Sequence, residues 1–295
     1  MNNAETLNCV NDEVQSLLHI HLPVALEELE NHILDLCKHF NLKIPGMKAS
    51  DSEVRPCNFS ISGQQMQIGL KADGVMFGSE IPDAKLILQV SRNVGKSPTI
   101  ATYQSVVSHD NPLRLNQIQN AGNFLASALS LLRSRDRCPG MGISCIDEEV
   151  FDGKNPRMFI SLCDASAFLS RLLQLLMRGM NSLCYPTNFP MITGDQSMSI
   201  YLNPPLPDDI RLSTFIEKNK LVIALFQSIP PPLGVSKPTS DSVNYIFKFK
   251  LDCHINHLEH IVNDYRKAVA ACHSLYDKVC TLSQYVEMNE KRLVF

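Results

Sequence analysis

The chain has 295 residues, 44% of them hydrophobic and 19% charged, with a net charge of -3. That length allows one large domain or two modest ones around a sizeable core, and the composition excludes wholesale disorder. With no basic block there is no electrostatic footprint for nucleic acid, and the longest strongly apolar run, LVIALF at 221–226, is far short of the roughly 20 residues a spanning helix needs. The ten cysteines form no CxxC pair and the start, MNNAETLNCVNDEV, is polar and acidic, so reduced thiols in a cytoplasmic protein are expected.

The first expected element is a helix over roughly 11–41, where Leu22, Leu29 and Leu36 alternate with Leu26, Ile33 and Phe40 and Pro45-Gly46 is the stop. Between about 56 and 108 the period becomes two. Cys57, Phe59 and Ile61 alternate with polar residues, as do Met66, Ile68 and Leu70. Asp73-Gly74 reads as a hairpin turn, followed by strand-like runs at 84–91 and 99–107. Helical spacing returns after Pro112: Leu115, Ile118, Gly122, Leu125, Leu129 and Leu132 share one face. A further helix carries Leu162, Ala165, Leu169, Leu172, Leu176, Gly179 and Leu183, with Phe168, Leu173, Leu175 and Met180 around it, and an almost wholly apolar helix is expected to be buried. The segment 137–158, with Asp147, Glu148 and Glu149, reads as a mobile loop, and 186–208, with five prolines, as an extended connector.

A second period-two block spans 209–251: a strand with Ile210, Leu212, Thr214 and Ile216, a polar turn at Glu217–Lys220, the buried run 221–226, a proline-rich loop at 229–238, and a strand with Tyr245, Phe247, Phe249 and Leu251. The last helix has the clearest rhythm. Ile255, Leu258, Val262, Tyr265, Val269, Cys272, Tyr276 and Val279 form a seam that Val286 extends, and Ile261, Ala268, Leu275 and Leu282 form a second column. Burying a seam side chain contributes roughly 1.5–3 kcal/mol while ordering each residue costs about 1–2, so about ten seam positions in about thirty residues cannot hold this helix up alone.

The element order α, β, αα, β, α predicts an elongated α+β fold: a discontinuous antiparallel four-helix bundle lobe plus a small antiparallel β-sheet lobe. The expected domains are 10–48, 112–185 and 253–288 for the bundle, and 55–110 with 199–252 for the sheet. Intramolecular packing accounts for all the heptads at once; an intermolecular coiled coil is the alternative.

Chemistry is thinly signalled. Gly95-Lys96-Ser97 follows a strand-like run as a phosphate-binding loop would, but the earlier glycine is missing (Val90 stands there) and Pro98-Thr99 leads into a strand instead of a helix. His254, His257 and His260 recur every three residues beside Cys253, half of what a zinc site requires; His19 and His21 are a similar pair. Asp208-Asp209 reads as a turn, and Lys248 and Lys250 as edge-strand lysines that prevent aggregation or make a contact. There is no GxSxG elbow and no HExxH, so no catalytic, cofactor or metal residue is expected.

The EVQSLLH helix, the QIQNAGNFLASALSLLRSRD stretch (117–136) and the PPLPDDIRLSTFIEKNKLVIALF stretch (204–226) resemble the Rogdi family, the leucine-zipper-like subunit of the RAVE, or rabconnectin, assembly. The resemblance covers most of 11–285, and its most specific pieces are the QIQ…SRD helix and the double strand with Leu206, Pro207, Asp209, Asn219 and Lys220. The loop at 137–158 and the tail SQYVEMNEKRLVF depart from the family pattern. The resemblance implies a non-catalytic adaptor that binds a large WD-repeat propeller scaffold of the rabconnectin type and soluble-sector subunits of the vacuolar-type proton ATPase, and promotes assembly of that pump. It also implies a cytoplasmic protein with no nucleic-acid partner, recruited to acidic organelle or vesicle membranes through its partners only. The runner-up function is a structural coiled-coil protein that homodimerises or tethers membranes through its terminal heptads.

Overall fold

The computed structural model describes residues 3–40, 54–65, 68–94, 97–134, 159–186, 198–228 and 245–293. The stop at Pro45-Gly46, the loop 137–158, the proline-rich loop 229–238 and residues 187–197 of the connector 186–208 lie outside the described residues.

The chain opens with α1 (Asn3–Ser16) and α2 (Leu22–Cys37), joined by a single π turn at Leu17–His21. Two local causes produce the π turn. Pro23 has no N–H to offer the carbonyl four residues earlier, and Leu22 N–H reaches back five residues to Leu17 O. The apolar positions Val10, Val14, Leu18, Leu22 and Leu26 are each four apart, more than one α turn, so a wider turn keeps the stripe on the core. Leu18, Leu22, Leu26, Leu29, Ile33, Leu36 and Phe40 are all buried.

The β strands follow: β1 (Pro56–Gln65), β2 (Ile68–Phe77), β3 (Glu80–Val94), β4 (Ser97–Val107) and the short β5 (Leu113–Arg114). With β6 (Leu202–Asn203) they form an antiparallel six-stranded sheet in the order β1-β2-β3-β4-β6, with β5 on β3. A second sheet, β7-β8-β9, comprises Ile210–Glu217, Lys220–Ser228 and Tyr245–His254. The central strand β8 is buried from Leu221 to Phe226, as an apolar run without alternation requires. Its turn from β7 has Lys218 and Asn219 both at positive φ, 48° and 65°, the conformation of a two-residue hairpin whose twist suits its strands.

Three long helices complete the chain: α3 (Asn116–Ser134), α4 (Leu162–Cys184) and α5 (Asn256–Leu293). Ser161 caps α4, its Oγ accepting from Asp164 N–H at 3.1 Å and donating to the Asp164 carboxylate at 2.9 Å. The 38 residues of α5 contain neither glycine nor proline, and Glu259 in its first turn complements the helix dipole.

Two compact units emerge. Unit 1 is Met1–Lys38, Gly122–Met180 and Asn263–Phe295; unit 2 is His39–Ala121 and Asn181–Val262. In unit 1, His32 Nε2 meets the Asp264 carbonyl at 3.0 Å and Arg133 pairs with Glu30 at 3.2 Å. Gly179 of α4 lies against the Tyr265 hydroxyl of α5 so closely that a Cβ there would overlap it. In unit 2, β1 passes against β9: a Cβ on Gly63 would come within 2.5 Å of Leu251 Cδ2.

This architecture corrects the expected one. The chain is α+β, but the sheet part is not small: nine strands among the described residues form two sheets. Nor does the structure show a four-helix bundle as a lobe of its own, because α3, α4 and α5 are each divided between the two units. Strand length was misjudged at Asp73-Gly74. Both residues lie inside β2, opposite Ser60 and Phe59 on one side and Lys85 and Ala84 on the other. Gly74 serves close approach, since a Cβ there would come 2.7 Å from Asp83 O and 2.8 Å from Phe59 Cζ. The turn falls instead at Gly78, with φ 59°.

Candidate functional site

Two places gather the chain's distinctive residues: a polar node in unit 2 and an open groove in unit 1. The node centres on Gln117, at the start of α3. Its side-chain amide accepts from Ile216 N–H at 2.7 Å and donates to Ile216 O at 2.9 Å and Ser182 O at 3.0 Å, and Ser182 Oγ donates to Gln117 O at 3.0 Å. The amide acts as a one-residue strand on the outer edge of β7, tying α3 and α4 to the second sheet. The β7–β8 turn is held similarly, with Lys218 N–H donating to Cys184 O at 3.1 Å and Ile255 N–H to Asn219 O at 3.3 Å. Leu206 is buried, Pro207 O accepts from Ile210 N–H, and Lys220 pairs with Asp252 at 2.9 Å. These residues, which carry the resemblance in the sequence, therefore do structural work.

The groove is a cleft of about 1090 Å³ within unit 1. One wall is the end of α1 and the π turn, with Glu13, Leu17 and His21; Met177 and Met180 of α4 line it from below. The other wall is α5 from Arg266 to Tyr285, which at 1.5 Å per residue spans about 28 Å. Val269 and Leu282 supply apolar surface there, while Ala270, Ser274 and Thr281 keep the wall low. Of its lining, Met177 (43%) and Tyr285 (43%) are exposed; Ile20 (60%) in the π turn, Val24 (55%) on α2 and Met288 (55%) on α5 are exposed as well. The rim is polar: Arg266 donates to the Asn263 side-chain oxygen at 3.1 Å, His273 meets Asp277 at 2.8 Å, and Lys278 follows. An apolar cleft with scattered rim charges suits binding of an apolar or amphipathic element.

The sequence-flagged residues do not converge. Ser97 opens strand β4 opposite Val94, so the helix that a phosphate-binding loop needs is replaced by a strand; Gly95 and Lys96 lie outside the described residues. His254 belongs to β9, its Nδ1 at 2.9 Å from Asn256 Oδ1, and is not on the helix with His257 and His260. His257 instead packs edge-on against His39, ring centroids 5.4 Å apart, and burial followed by His39, His260 and Arg55 pushes its pKa below the ordinary 6.5. Burial, then Cys57 and Asp252, raises the Cys253 thiol to about 11, and burial raises Cys37 and Cys272 to about 12, so these sulfurs stay protonated at neutral pH. No group of three metal-ligating side chains occurs among the described residues. His19 is exposed in the π turn, while His21 lines the groove. Asp208 and Asp209 form the turn before β7; Lys250 pairs with Glu217, and Lys248 is exposed.

The groove itself was missed, although two signals for it exist: the four-residue spacing around Pro23 that demands a π turn, and the small residues Ala270, Ser274 and Thr281 on the outer face of the last helix. No helix among the described residues is long and apolar enough to cross a membrane.

No family model matches the chain. Among proteins of known name it is similar to the protein rogdi of Drosophila melanogaster, 24% identical over 226 residues that cover 76% of this chain and 72% of the relative. It is 22% identical to the rogdi homolog of Danio rerio over 297 residues, 94% of each chain, and 23% identical to the rogdi homolog of Homo sapiens over 296 residues, 94% of this chain and 93% of that one.

Proposed function

The chain belongs to the Rogdi family, and from that premise we propose that it is a non-catalytic adaptor subunit of a RAVE/rabconnectin-type complex. It binds a large WD-repeat propeller scaffold and soluble-sector subunits of the vacuolar-type proton ATPase, and promotes assembly of that pump. Its contribution is to hold partners at a fixed geometry, raising their effective concentration for one another, with no bond made or broken. It works in the cytoplasm and reaches acidic organelle or vesicle membranes through its partners.

The observation that carries this reading, beside family membership, is the open groove of unit 1, a cleft of about 1090 Å³ whose lining includes the exposed Met177 and Tyr285. An apolar cleft with charged residues among its lining is what a partner-binding protein presents. The Cys37, Cys253 and Cys272 thiols are held protonated and so are poor nucleophiles, which points the same way.

The test is affinity purification of the tagged chain from its own cells, with mass spectrometry of the bound proteins. Recovery of a WD-repeat scaffold together with soluble-sector ATPase subunits is the expected result. Recovery of the chain alone, or of unrelated membrane tethers, contradicts the adaptor role and favours the coiled-coil alternative.

A further inference from the structure

Resting on the adaptor reading, we infer that the groove of unit 1 is the seat of one amphipathic α-helix supplied by a different protein, with apolar anchors at i, i+4, i+7 and i+11. The class of element follows from backbone chemistry. Unit 1 has no β-strand among its described residues, so an extended peptide would find no edge to pair with, whereas a helix satisfies its own N–H and C=O groups. The wall from Arg266 to Tyr285 is about 28 Å long, room for about five helical turns. Ala270, Ser274 and Thr281 let a second helix approach α5 closely, while Met177 and Met180 adapt their shape to the anchors.

A second copy of this chain does not fit. Filling the groove takes three or four anchors on one helical face, and among the described side chains of α1 to α5 and the π turn the large exposed apolar ones are Ile20 with Val24, Met177 alone, and Tyr285 with Met288. The apolar stripe of α2 and most of that of α5 up to Val279 are buried within the chain, while Val269, Leu275 and Tyr276 are half-buried and Val269 already lines the groove. Charge narrows the occupant further. Arg266 and Lys278 lie about 18 Å apart along the α5 wall, the Asp277 carboxylate between them is engaged by His273 at 2.8 Å, and Glu13 stands on the α1 wall. The occupant therefore carries acidic residues about twelve positions apart on the flank facing α5, and a basic residue on the flank facing α1.

The test uses the full chain and a phage-displayed library of helix-forming peptides of about 18 residues, with apolar residues fixed at the four anchor positions. Peptides with acidic residues on one flank are expected to enrich and to bind in solution. Ala270→Trp, which fills the groove from an exposed position, is expected to weaken them at least about tenfold with the melting temperature unchanged. Library selection on Arg266→Glu is expected to exchange one acidic flank position for a basic one. No enrichment, or peptides that bind Ala270→Trp as well as the parent, overturns the inference. So does a concentration-dependent dimer that Ala270→Trp dissolves, which assigns the groove to a second copy. Purification on the WD-repeat scaffold separates the two proposals. If Ala270→Trp still captures the scaffold as the parent does, the groove assignment falls and the adaptor role stands. If peptides bind but the parent captures no scaffold, the adaptor role falls and the groove assignment stands.

Discussion

Along α5 one apolar rhythm meets two fates. From Ile255 to Val279 the positions Leu258, Ile261, Tyr265, Ala268, Cys272 and Val279 are buried, most of them completely, while Val269, Leu275 and Tyr276 beside them are half-buried. Beyond Val279 the pattern continues through Leu282, Tyr285, Val286 and Met288, but Leu282 and Val286 are half-buried and Tyr285 and Met288 are 43% and 55% exposed. Periodicity fixes which face of a helix is apolar; it does not say whether the surface covering that face belongs to the same chain. The first stretch is a core and the second is an offer.

A buried charge separates the two stretches most sharply. Ala268→Asp places a carboxylate at a fully buried position and is expected to cost about 3–5 kcal/mol, abolishing the cooperative helical melt. Tyr285→Asp is expected to stay within about 1 kcal/mol of the parent by thermal circular dichroism. Similar losses from both would erase the distinction. Val269 is a poorer probe than its place in the seam suggests, because it is half-buried and lines the groove.

Next in size is Gln117→Leu, which strips Ile216 N–H and C=O and Ser182 C=O of their partners. Half-buried backbone groups left unpaired cost about 1–3 kcal/mol each, so with three of them a loss of at least about 3 kcal/mol in urea unfolding is expected. Gly179→Ala drives a methyl group into the Tyr265 hydroxyl; overpacking of about 1–3 kcal/mol outweighs the roughly 1 kcal/mol gained in helix propensity, and a net stabilisation would show that α4 and α5 are not locked there.

The smallest effect is pH-dependent. Because burial, His39, His260 and Arg55 depress the His257 pKa, the folded chain binds fewer protons than the unfolded chain in the window below 6.5. Stability is full above 6.5 and falls as pH drops through that window. His257→Phe keeps an edge-on ring against His39 without the titration, so its stability is expected to vary less with pH there. Equal pH slopes would remove His257 as the source.

Much of the fold was legible in the sequence. The 3-4 spacing located all four helical regions, and period two located the strands around 56–107 and 210–251, because both patterns express one-sided burial. The size and pairing of the sheets were not legible. Asp73-Gly74 carries the chemistry of a turn, yet the same missing Cβ that permits positive φ also permits close packing inside β2. The expected lobes failed where α3, α4 and α5 pass from one unit to the other, since a stripe's direction says nothing of where compactness divides. Gln117 lay in a stretch singled out by resemblance, but its pairing with Ile216, 99 residues away, has no local signal. The groove escaped because it depends on three separated segments.

The most direct measurement is hydroxyl-radical footprinting of the chain, free and then bound to its WD-repeat scaffold. The account predicts that Met177, Tyr285 and Met288 are readily modified in the free protein and strongly protected in the complex, while buried Met76 and Met198 react slowly in both. Equal modification of Met177, Tyr285 and Met288 in the free and bound states would contradict it, leaving the groove uncovered by the partner it is claimed to hold.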